Sequence, residues 1–123
     1  MESPHKGETG IRRIVSAARN SVAGLAAALR HEDAFRQELI LAAVLVPIAI
    51  FMNVTYLEKA LLVGSVLLVL VVELLNSAIE ATVDRVSLEV HPLAKRAKDL
   101  GSAAVMLSLV LAASVWLFIL LDR

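Results

Sequence analysis

Cysteine is absent from the chain. That excludes disulfide bonds and thiolate metal centres, and leaves no redox chemistry from which to read a compartment. Neither glycine-rich phosphate loop is present: the sequence contains no GxxxxGK[ST] and no GxGxxG, so a nucleotide site here must be built in another way. The histidines His5, His31 and His91 are scattered and lack metal-ligand spacing. Ser77 and Ser102 have no His–Asp company of the kind that activates a serine. There is also no excess of charge of either sign, because 12 Lys and Arg are matched by 12 Asp and Glu, and no nucleic-acid partner is expected.

What the sequence has in abundance is apolar residues. Of 123 residues, 59% are hydrophobic, against roughly 45–50% in an ordinary soluble domain. Residues 1–10 are polar and read as a flexible tail, and 11–123 as a single membrane domain. In 11–30 the residues Ile11, Ile14, Val15, Ala18, Val22, Leu25 and Leu29 recur at helical spacing, with Arg12, Arg13, Ser16, Arg19 and Asn20 opposite. A basic face backed by a modest apolar one suits a helix lying in the membrane surface. Three apolar stretches follow: Leu39–Met52, Ala60–Val72 and Gly101–Leu121. With their flanks they predict spans over about 34–52, 57–85 and 95–121. Asn53–Lys59 is read as a connector, and Val86–Pro92 as a loop whose proline opens the next helix. Pro47 within the first span is tolerable where neighbours satisfy the freed carbonyl. The fold expected is therefore all-α, a surface helix followed by three transmembrane helices. Of the basic residues only Lys59 and Arg123 fall on one side of this arrangement. The bias puts the N-terminus and the second connector on the cytoplasmic side of a bacterial inner membrane.

The chemistry is carried by polar residues at membrane depth. Glu73, Asn76, Glu80 and Asp84 are spaced by three, four and four, which places them on one helix face. An ionisable group there costs at least about 2.5 kcal/mol by insertion scales, and usually marks function. Two further clusters sit at the same cytoplasmic level: Lys95, Arg96, Lys98, Asp99 and Ser102 at the start of the third span, and Glu32, Asp33, Arg36 and Glu38 at the start of the first. Carboxylates beside lysines and arginines at one depth suit a metal-bound polyphosphate. The charges could instead only satisfy one another, Asp84 with Arg85 for example. The run Gly101-Ser102-Ala103-Ala104 is read as a close helix-packing surface, with Ser102 near the site. A thin three-helix bundle also cannot screen a row of carboxylates from lipid, so partner subunits are expected to supply a wall.

Three stretches resemble a known family. ELLNSAIEATVDR (73–85), AKDLGSAA (97–104) and HEDAFRQE (31–38) are similar to the motifs of the bacterial diacylglycerol kinases, and the likeness runs from about Thr9 to the C-terminus. The resemblance implies an integral membrane lipid kinase that moves the γ-phosphoryl group of MgATP to diacylglycerol, giving phosphatidic acid. It implies a homotrimer with sites shared between subunits, and ATP and Mg2+ as co-substrate and cofactor. By the same resemblance Glu73 is the general base, and Glu32 and Glu80 hold the metal. Asn76, Lys98 and Asp99 position the nucleotide phosphates with Arg13, Ser21 and His91, while Arg13 and Ser102 join Glu73 at the lipid. Asn20 and Val22 stand where the family's better-known members carry aromatics. The stretch His91–Lys95 looks more like the undecaprenol kinase branch, which remains an alternative acceptor class. A non-enzymatic ion pathway is a second alternative. It requires polar residues along the full depth of the bilayer, whereas here the outer halves of the spans are apolar.

Overall fold

The computed structural model describes residues 9–86 and 91–123. All the regular structure among them is helical: α1 Gly10–His31, α2 Asp33–Phe51, α3 Tyr56–Val86 and α4 Pro92–Leu121. The chain divides after Glu32 into two units, α1 in the first and α2–α4 in the second.

In the first unit, Thr9 is extended and Gly10 enters the helix with φ +61, a conformation that costs little only for glycine. Arg30 and His31 occupy the last turn, where positive charge complements the helix dipole. The helix stops because Glu32 returns to an extended conformation, its N–H still donating to the Ala28 carbonyl at 3.0 Å. The apolar stripe Ile11, Ile14, Val22 and Leu25 is exposed and only Ala28 is buried. That is the surface an interfacial helix presents to lipid headgroups.

In the second unit α3 is central and packs against both α2 and α4. The buried positions explain why. On α2 they are Phe35, Ala42 and Ala49, seven apart, a seam whose small residues let backbones approach. On α3 they are Leu62, Ser65, Val66, Val69, Glu73 and Asn76, one continuous stripe at steps of three and four. Among the described residues three helices are long and apolar enough to cross a membrane, the same three predicted from sequence.

One end of the bundle is firmly tied. Ala49, Leu62 and Ile119 form its core, with Val63, Val115 and Trp116 against them, and the Trp116 indole N–H donates to the Leu62 carbonyl at 3.2 Å. The connector is shorter than the sequence suggests, because Thr55 and Glu58 form a reciprocal capping box. Glu58 N–H donates to Thr55 Oγ1 at 3.1 Å, and Thr55 N–H to Glu58 Oε1 at 3.0 Å, which starts α3 at Tyr56. Lys59 Nζ donates to the Ile50 carbonyl at 2.5 Å, and Arg123 pairs with Glu58. At the opposite end α4 begins at Pro92, the proline expected to open it and three residues before the predicted span. Pro92 opens the helix, and His91 caps it by accepting the Leu93 N–H on Nδ1 at 3.0 Å. Residues 87–90 of the predicted loop lie outside the described residues.

Length then sets the depth of the charged residues. At 1.5 Å per residue, the 19 residues of α2 cover about 28 Å, close to the hydrocarbon thickness of about 30 Å. The 31 residues of α3 and 30 of α4 cover about 45 Å, so each overshoots by roughly 15 Å. Glu58, Arg123 and the capping box mark one water-facing end. Measured from Glu58 along α3, Glu73 lies about 22 Å away and Glu80 about 33 Å. With a bilayer boundary at Glu58, Glu73 would fall within the hydrocarbon, Glu80 at its edge, and Asp84 and Lys98 in the overshoot.

Candidate active site

Along α3 the polar face emerges from the bundle by degrees. Glu73 is 5% exposed and Asn76 9%, Glu80 is half-buried, and Asp84 is exposed. The buried stripe that carries Val66 and Val69 simply continues as Glu73 and Asn76, so the carboxylate faces helices and not lipid. The Asn76 amide donates to Glu80 Oε1 at 3.2 Å, joining two of the predicted site residues.

Across the α2–α3 seam the Glu38 carboxyl meets that of Glu73, and Glu38 Oε2 is buried without a hydrogen-bond donor. The sequence reading put Glu38 in the polar cluster at the start of the first span and did not pair it with Glu73. The available signal was its position three residues after Phe35, on the seam Phe35–Ala42–Ala49. Two carboxyls in contact, one with an orphaned oxygen, form a strongly accepting pocket that a hydroxyl group can enter as donor.

Across the α3–α4 seam, Lys98 Nζ pairs with Asp84 Oδ1 at 2.6 Å, and its ammonium is within electrostatic reach of Glu80. Asp84 thus pairs with Lys98 on the neighbouring helix. Asp99 lies one residue further on and pairs with Lys95 at 2.7 Å. Gly101 is buried against Asn76, as expected of a close-packing run, while Ser102 beside it is exposed. His91 caps α4 and lines, with Thr82, Val83, Val86, Leu93 and Ala97, an open groove of about 480 Å³ between α3 and α4.

Arg13, Ser21 and Glu32 belong to the first unit. Arg13 is exposed, Glu32 is half-buried at the end of α1, and the Ser21 hydroxyl donates back to the Ala17 carbonyl at 2.8 Å. Among the described residues no three His, Asp or Glu side chains come together as a ready-made metal cage. Glu80 nonetheless fits a hard divalent cation. Its donors are carboxylate oxygens, the Asn76 bond fixes one of them, and magnesium commonly takes only one or two protein carboxylates alongside substrate phosphates.

The arrangement is a carboxyl pair, Glu38 and Glu73, a third carboxylate, Glu80, two turns along α3, and Lys98 within reach of it. The chain matches a family profile described as prokaryotic diacylglycerol kinase over residues 19–120. The chain is 56% identical over 119 residues to a diacylglycerol kinase of Pseudomonas aeruginosa, covering 97% of each chain. It is 48% identical over 112 residues to one of Escherichia coli, covering 91% of this chain and 92% of that one. A diacylglycerol kinase of Helicobacter pylori is 42% identical over 116 residues, with 94% and 90% covered.

Proposed function

Because this chain belongs to the prokaryotic diacylglycerol kinase family, we propose that it is an ATP-dependent lipid kinase phosphorylating the free hydroxyl of diacylglycerol to give phosphatidic acid. The relatives are named for diacylglycerol, which disfavours the undecaprenol and ion-pathway alternatives. The observation that carries the mechanism is a buried Glu73 on a helix of span length, in line with Asn76 and Glu80.

Diacylglycerol reaches the site sideways from the bilayer, its hydroxyl just below the headgroups and level with Glu73. ATP arrives from the cytoplasm, where Glu80 and Lys98 stand at the edge of the hydrocarbon. Glu73 takes the hydroxyl proton as the oxygen attacks the γ-phosphorus. The bond from that phosphorus to the β–γ bridging oxygen breaks, and ADP leaves. A neutral alcohol is a weak nucleophile, and a positioned base typically contributes 10²–10⁴-fold. Lys98 offsets charge on the transferring phosphoryl group, and Asp99 and Asn76 support its placement. Glu80, with Glu32 of the first unit, would hold Mg2+, which when bound neutralises charge on the phosphate oxygens. Arg13, Ser21 and His91 complete the nucleotide contacts in this reading, and Arg13 and Ser102 those to the lipid.

The same reading places the N-terminus and the α3–α4 connection in the cytoplasm of a bacterial cell, with α1 on the inner membrane surface. The active form is a homotrimer. Its support is the family resemblance together with the lower part of the polar face, half-buried Glu80 and exposed Asp84, which three helices leave open. The deciding experiment is a radiolabelled-ATP assay on the reconstituted protein, offering diacylglycerol and undecaprenol in parallel. Label in phosphatidic acid supports the proposal. Label in neither lipid, or in undecaprenol alone, overturns it.

A further inference from the structure

Glycine is present four times among the described residues, at Gly10, Gly24, Gly64 and Gly101, and at the first three an added Cβ would meet nothing within 4 Å. Gly101 differs. A Cβ there would overlap Asn76 Oδ1 and lie 3.2 Å from Asn76 Cγ. The Asn76 side chain is wedged against α4 with its Oδ1 buried and unpartnered, while its Nδ2 donates to Glu80 Oε1. The amide cannot turn over without setting its carbonyl against a carboxylate, acceptor against acceptor. Its position is thus fixed from two sides, by Glu80 along α3 and by the bare backbone of Gly101 across the seam.

We infer that Gly101 is a positioning residue of the phosphoryl-transfer site, its missing side chain leaving room for the Asn76 amide that aims the Glu80 carboxylate. The inference rests on the reading of Glu80 as a ligand of the nucleotide-bound metal. A methyl group at 101 must either rotate the amide away from Glu80 or push α4 from α3. Lys98 stands one turn before Gly101 on α4 and is tied to Asp84 across the same seam, so a displaced helix would carry the lysine with it. Partners that orient a metal ligand from behind typically control 10–100-fold in metal affinity or activity.

The test is a double-mutant cycle with N76A, G101A and N76A/G101A, because neighbours acting through one contact are non-additive whereas independent ones add. Two readouts are taken: calorimetric binding of the manganese complex of AMP-PNP to detergent-solubilised protein, and the Mg2+ concentration for half-maximal turnover. Each single variant is expected to weaken manganese–AMP-PNP binding by about tenfold, and the double variant to bind as N76A alone does. Wild-type binding by G101A, or a double variant carrying the product of both losses, overturns the inference. If G101A does not fold, the N76A background decides. A folded N76A/G101A that binds like N76A supports the inference, and a collapsed one overturns it. Glu80→Gln separates the underlying reading: unchanged binding removes Glu80 from the site and the inference with it, while weakened binding beside an unaffected G101A removes the inference alone.

Discussion

Replacing Glu73 by glutamine should make the protein at least as stable and nearly inactive. Glutamine has almost the volume of glutamate, so a position only 5% exposed keeps its packing. It adds an NH2 donor opposite Glu38, whose Oε2 has none. An unsatisfied buried acceptor costs about 1–3 kcal/mol, and part of that should return as stability, of the order of 1 kcal/mol. The same change removes the carboxylate proposed to accept the lipid's proton. A general base is worth about 10²–10⁴-fold, or roughly 3–5 kcal/mol of barrier at 1.36 kcal/mol per tenfold. The assay pairs initial rates of phosphatidic acid formation in mixed micelles with denaturant unfolding and calorimetric MgATP binding. Turnover should fall at least a hundredfold while nucleotide affinity stays within about twofold. A variant that keeps more than a tenth of wild-type turnover would show that Glu73 is not the base.

Other outcomes follow from the same packing. Lys98→Met should lower kcat by about 10²–10³-fold through loss of phosphoryl charge stabilisation. Its stability should be essentially unchanged, since both members of the Lys98–Asp84 pair are exposed; a purely structural lysine would leave kcat intact. Trp116→Phe keeps the ring but loses the bond to the Leu62 carbonyl. It should cost about 0.5–1.5 kcal/mol in unfolding experiments with kcat unchanged, because Leu62 lies about 16 Å along α3 from Glu73. Ala49→Leu forces a larger side chain into a site with no exposed surface and should destabilise by about 1–3 kcal/mol. Crosslinking in mild detergent should yield a trimer, and a fully active monomer would remove the need for neighbouring walls.

The helices were legible in sequence because apolar runs of span length leave few alternatives, and because the residues that close them are local. Pro92 lies at the end it sets, whereas the equally local Thr55–Glu58 capping box reads in sequence as part of a connector. Glu73, Asn76 and Glu80 were legible for a similar reason: their spacing alone puts them on one face, and charge on that face of an apolar helix has no cheap explanation. The partners across seams were not legible. Glu38 meets Glu73 and Asp84 meets Lys98 only once α2 and α4 are set against α3, and no local pattern fixes their relative rotation. Gly101 showed as a packing residue, but the side chain it packs on is 25 positions earlier in the chain.

The firmly tied end of the bundle has a consequence for the lipid surroundings. If Trp116, Glu58 and Arg123 hold α3 and α4 at one water boundary, the height of Glu73 is reckoned from that boundary and not from the leaflet in which the proposed substrate hydroxyl would lie. Thickening the membrane by a few ångströms would carry the opposite headgroup layer away from the carboxylate while the helices stayed still. Catalytic rate should then pass through an optimum as host-lipid acyl chains are lengthened, with the protein serving as a ruler for the membrane it works in.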